Sequence, residues 1–130
     1  MKNYKIGRGK DGKTLFIGER QISFGDGIET VLEFSDLWIV HLGNIDYVNG
    51  QRSIDMSKQP LNNIYAVDKE CNVLWNIKQI IPSGLLMTPD EQYTGAVKIS
   101  DNILRVTTFN CFAFDIDINT LEVVDKIFTK

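Results

Sequence analysis

Residues 7–14 read GRGKDGKT and satisfy the pattern G-x-x-x-x-G-K-[ST] at every fixed position. In a phosphate loop, glycines let backbone N–H groups curl around phosphate, the lysine adds charge, and the hydroxyl reaches a magnesium ion. That chemistry also needs a helix directly after Thr14, whose N-terminus faces the phosphate. The residues after Thr14 are LFIGERQISFGDG, with β-type residues and a Gly-Asp-Gly cluster. Asp11-Gly12, between YKI and TLFI, therefore reads as the turn of an opening β-hairpin, with Lys10, Lys13 and Thr14 as its flanks.

Three further groups could do chemistry. Asp115, Asp117 and Asn119 (DIDIN) match the first half of a calcium loop, but Thr120 replaces the required glycine and Lys126 the closing glutamate. Alternation puts the three on one strand face, expected to be solvated. His41 is the only histidine, on LWIVHL, and shares a face with Leu37 and Ile39 opposite Trp38, Val40 and Leu42; that face is expected to be half-exposed. Cys71 is expected in a turn and Cys111 in a strand, neither with an activating neighbour, so two free thiols are expected. Trp38 and Trp75 each end an apolar strand and read as core anchors. No catalytic constellation, cofactor site or metal site results, and the chain reads as a non-enzyme.

These residues must be positioned by a small scaffold. The 130 residues suit one domain with a real core, and 43% hydrophobic with 24% charged residues is ordinary globular composition. A net charge of −3 argues against sequence-independent nucleic-acid binding. No apolar run is long enough for a signal peptide or a membrane span, so a chain starting at its natural Met1 is expected in the cytoplasm.

Helical periodicity is almost absent. Strands are predicted at roughly 3–7, 13–18, 21–24, 29–34, 37–42, 63–68, 73–78, 94–99, 103–109, 111–117 and 122–128. One helical turn is predicted at TPDEQ, with Thr88 as N-cap, Pro89 first and Glu91 completing a capping box. The pattern also repeats. VLEFSDLWIVHLGN (31–44) parallels AVKISDNILRVTTFN (96–110), IYAVD (64–68) parallels CFAFD (111–115), and VLWNI (73–77) parallels VVDKI (123–127). The fold class is thus all-β: an N-terminal hairpin (1–28) and two antiparallel four-stranded meanders (29–78 and 94–130), packed as a sandwich or half-barrel.

The copies differ most between their second and third strands. Residues 43–62 form a long insertion in the first, where the second makes a tight turn around Asn110. Such connections are often functional; the alternative is an elongated hairpin with no role of its own. Ile81, Leu85, Leu86 and Met87, on the linking segment, either cap the core or face a partner.

NIYAVDKECNVLW resembles a blade of the quinoprotein-like β-propellers, through Ile64, Tyr65, Ala66, Val67 and Asp68, then Leu74 and Trp75. Cys71-Asn72 replaces the turn glycine of that pattern, with Asn72 able to take the left-handed conformation, and Asp125 stands where the second copy would have Trp. The resemblance implies blade-like sheets and no quinone cofactor. Two blades cannot close a propeller, which needs about four. In size, acidity and all-β character the chain is also similar to small immunity proteins of bacterial polymorphic toxin systems. That similarity implies a protein partner, a basic toxin domain, and no nucleic acid or membrane. The expected partner-binding residues are Asp46, Tyr47, Arg52 and Asp55 on the insertion, since charge steers encounter and Tyr and Arg anchor interfaces. The competing expectations are a small-molecule or carbohydrate groove near His41, Tyr65 and Arg105, and a propeller-like structural subunit.

Overall fold

The computed structural model describes residues 4–5, 12–48, 51–54 and 59–128. The chain is all-β, and its organising strand is β5 (Leu37–Gly43), buried at every position. LWIVHL is an unbroken apolar run apart from His41, as expected of a strand covered on both faces. The half-exposed face expected for His41 is therefore corrected: His41 is 3% exposed.

Around β5 the strands form a stack of sheets. The first holds β1 (Tyr4–Lys5), β2 (Thr14–Ile17) and β3 (Arg20–Ser23). The second has the order β4 (Gly27–Glu33), β5, β8 (Ile64–Asp68), β9 (Val73–Asn76), and the third runs β10 (Tyr93–Lys98), β11 (Ile103–Thr108), β12 (Phe112–Asp117), β13 (Glu122–Phe128). Both are antiparallel meanders. Trp38, Val40, Leu42 and Val67 of the second sheet pack on Leu15 and Ile17 of the first. Its other face, with Leu37, Ile39, Ile64, Ala66 and Trp75, packs on Leu104, Val106, Phe114 and Ile116 of the third. Each such fully buried large side chain contributes about 1.5–3 kcal/mol.

At the amino end, Gly12 (φ 69°) turns the chain into β2, and β1 pairs with β2 through Tyr4–Ile17 and Lys5–Phe16. A strand occupies the place a phosphate loop needs for its helix. Lys10 and Asp11 lie outside the described residues. The insertion contains β6 (Ile45–Val48) paired with β7 (Gln51–Ile54), so it includes a hairpin of its own.

The register corrects the repeat alignment. Ile39 faces Ala66 and Ala66 faces Trp75, with the extra residue of a bulge, Leu74, next in β9; Arg105 faces Asp115 and Asp115 faces Asp125, with a bulge at the same place in β13, at Val124. Trp75 thus corresponds to Asp125, as aligned, but Ala66 corresponds to Asp115 and Asp68 to Asp117. IYAVD against CFAFD is two residues out of step. A slip of two preserves the inside–outside alternation and leaves no trace in hydrophobic pattern. The turns reveal it: Asp68 Oδ1 accepts from the Glu70 and Asn72 N–H groups, and Asp117 Oδ1 from those of Asn119 and Thr120.

Other local expectations change too. TPDEQ forms no helix, because Tyr93 enters β10 directly after Gln92, yet half of the capping box forms: Thr88 N–H donates to Glu91 Oε1 at 3.1 Å. Short 3-10 turns lie instead at Ile77–Gln79 and Ser83–Leu85. Cys111 sits in a turn, not a strand, and the left-handed residue of the 68–73 turn is Cys71 (φ 68°), not Asn72. No helix among the described residues is long and apolar enough to cross a membrane.

Candidate binding surface

One end of the stack carries the insertion, the linking segment and the β11–β12 turn, and side-chain hydrogen bonds tie these loops together. Asn63, 2% exposed, donates to the carbonyls of Leu42 (2.7 Å) and Tyr93 (2.9 Å) and accepts from Tyr93 N–H at 2.8 Å. It thereby pins the start of β10 to the end of β5, satisfying backbone groups that no strand reaches. Next to it, Asn62 takes the left-handed conformation (φ 52°), and its N–H donates to the Glu91 carbonyl at 2.7 Å.

Glu91 is 2% exposed and carries the densest contacts. Its carboxylate accepts from Thr88 N–H and Oγ1 (3.1 and 3.0 Å) and from Asn110 Nδ2 to both oxygens (3.1 and 3.0 Å). A buried carboxylate is tolerable only when donors surround it in this way. Asp90 beside it is held below the usual carboxylate range, chiefly by Lys78 Nζ and then by Asn62 Nδ2. Phe109 N–H closes the set by donating to the Gln92 carbonyl at 2.9 Å.

The loops fixed in this way expose three large apolar side chains: Leu61 (58%), Met87 (66%) and Phe109 (61%). Ile81 is buried and Leu85 and Leu86 pack on the core, so of the four apolar residues singled out on the linking segment only Met87 faces outward. At the base of the insertion Gln59 bonds the Asn44 backbone at both N–H (3.0 Å) and C=O (3.4 Å). The insertion residues expected to bind a partner lie beyond that base. Asp46 stands opposite Ser53 and Tyr47 opposite Arg52 in the β6–β7 register, and Asp55 lies outside the described residues.

His41, Tyr65 and Arg105 do not line one groove. His41 Nε2 meets the Tyr93 carbonyl at 2.8 Å, and its Nδ1 lies 3.3 Å from Glu29 Oε2, inside the stack. A carbonyl accepts only, so Nε2 carries the proton there. Tyr65 packs against Phe24 towards the first sheet, with ring centroids 5.5 Å apart. Arg105 lies on the third sheet's far face, where it forks onto Asp115 at 2.7 and 3.0 Å. Asp115, with Asp125 beyond it, raises the already high pKa of Arg105. Of the DIDIN residues on this outer face, Asp115 pairs with Arg105 and is 9% exposed, Asp117 caps its own turn, and Asn119 is exposed. Among the described residues no three His, Cys, Asp or Glu side chains gather as metal ligands.

A family described as a domain of unknown function (DUF7957) matches residues 7–128. The chain belongs to that family. No curated protein matches it. The DUF7957 match takes in both four-stranded sheets and every loop of the candidate surface, so the insertion and the Glu91 cluster are parts of the domain. Sequence reading missed Asn62, Asn63, Glu91 and Asn110 as the organisers of this end. The signals for them were the Thr88–Glu91 spacing and a pair of asparagines at a strand start, where side chains commonly replace backbone partners.

Proposed function

We propose that this DUF7957 domain is a non-catalytic binding protein that engages another protein through the end bearing the β6–β7 hairpin. One observation carries the reading: Leu61, Met87 and Phe109 are each more than half exposed on three loops that hydrogen bonds hold together. Exposed large apolar residues on rigidly held loops suit a partner-facing surface. The neighbouring insertion carries Asp46, Tyr47, Arg52 and Asp55 in its sequence, residue types that suit steering and anchoring of a partner. In its most concrete form the partner is a basic toxin domain and the protein a bacterial immunity protein acting in the cytoplasm.

The test compares capture from the native host by the wild-type chain, by Leu61→Ser/Met87→Ser/Phe109→Ser, and by Asp46→Lys/Asp55→Lys. Both variants should melt like the wild type and lose the captured protein. Capture unchanged by both substitutions would overturn the reading. Growth protection on co-expression with a toxin domain encoded next to this chain tests the immunity form.

The shared bulge position in the second and third sheets favours a second reading, a propeller-like structural subunit that works when further sheets are added. It requires an outer face able to receive one.

A further inference from the structure

The second and third sheets use their two faces in the same order. Trp38, Val40, Tyr65 and Val67 point back to the first sheet, and their register equivalents Leu104, Val106, Phe114 and Ile116 point back to the second. The forward face of the second sheet is centred on the row Leu32–Ile39–Ala66–Trp75, with Ile39, Ala66 and Trp75 buried against the third. The same row on the third sheet reads Val97–Arg105–Asp115–Asp125.

Only this central row changes character so completely. The flanking rows read Thr107–Ala113–Ile127 on one side and Ile103–Asp117–Glu122 on the other, and they start as the second sheet's do, in a polar residue beside an aliphatic one (His41–Ile64) and an aliphatic one beside an aspartate (Leu37–Asp68). Val97 in the row itself is 54% exposed. A sheet with the strand order and bulge position of the second thus has an ion pair and a second carboxylate at the centre of its outer face.

Covering that row with another apolar sheet would strip water from the Arg105–Asp115 pair and from Asp125, a carboxylate that faces a second carboxylate across the strands. Desolvating such a group costs more than the apolar contacts around it return. We propose that the Arg105–Asp115–Asp125 row is a stop on sheet stacking, which ends the series at three sheets and keeps two copies of the chain from joining through this face. This goes beyond the binding function proposed above and weighs against the structural-subunit reading.

The experiment installs the second sheet's residues in the third, as Arg105→Ile/Asp115→Ala/Asp125→Trp, and follows average mass against concentration by sedimentation for variant and wild type. The folded variant should associate with itself at least 100-fold more tightly than the wild type, and Asp125→Trp alone, with the ion pair kept, should behave like the wild type. Superimposed mass curves for the folded triple variant and the wild type would overturn the proposal. Arg105→Val/Asp115→Val/Asp125→Val is the second variant, with the same expectation. If neither variant folds, the row is a requirement of the sheet itself and the proposal also falls.

Discussion

Glu91 and Asn110, 19 residues apart, are joined by hydrogen bonds from one Asn110 nitrogen to both carboxylate oxygens, at 3.1 and 3.0 Å. With the Thr88 contacts this bond holds the linking segment against the β11–β12 turn, so the apolar surface above it depends on one buried acid. A glutamine at position 91 would turn an NH2 group towards these same donors. Glu91→Gln should therefore cost about 2 kcal/mol in urea unfolding, as a buried donor is left without an acceptor. A variant within about 0.5 kcal/mol of wild type would show that the carboxylate is not the organiser.

Tyr93 shows the opposite imbalance. Its ring is 1% exposed, and its hydroxyl is buried with no hydrogen-bond partner among the described residues. Tyr93→Phe removes a desolvated polar atom without opening a cavity, so it should stabilise the fold by about 1 kcal/mol. Burial first, and the Glu91 charge second, push the phenol far above its ordinary value of 10.0. A raised folded-state pKa leaves stability whole below the unfolded value and drains it as pH climbs above 10. The phenylalanine variant should lose that part of the alkaline decline, measured by thermal melts on both sides of pH 10.

Much of this fold is legible in the sequence because alternation and turn residues are local signals. TLFI after Gly12 reads as a strand, and the four-strand repeat is visible from matched Ser-Asp turns. What the sequence hides is long-range or silent to a period of two. The two-residue slip between Asp68 and Asp115 leaves every inward residue inward, so only turn hydrogen bonds reveal it. Asn63 reaches Tyr93 across 30 positions, and nothing in either residue's neighbours announces the contact. His41 looks half-exposed because the repeat matches it to Thr107 and its neighbour Ile39 to Arg105, whereas its two nitrogens are met by groups from other elements.

Trp75 and Asp125 hold the same place in two sheets and should differ sharply in cost. Trp75 is 6% exposed in the core between the second and third sheets. Trp75→Ala should destabilise by about 3–5 kcal/mol, through lost transfer energy and the cavity left behind. Asp125 is exposed at the outer face, so Asp125→Ala should stay within about 0.5 kcal/mol of wild type. Equal costs in denaturant titrations would mean that the two rows do not face opposite environments.

Cys111 carries a φ of 69° in the turn between β11 and β12, where its N–H donates to the Thr108 carbonyl at 3.1 Å. A residue with a Cβ pays about 1–2 kcal/mol to stay in that left-handed region. Cys111 is exposed, so little packing is lost with its side chain. Glycine adopts the conformation freely but gives up more chain entropy on folding, which offsets part of the gain. The net expectation for Cys111→Gly is a stabilisation of about 0.5–1 kcal/mol. Cys111→Ala keeps the Cβ and should gain nothing. If alanine matched glycine in thermal melts, the thiol and not the backbone would be the source of strain.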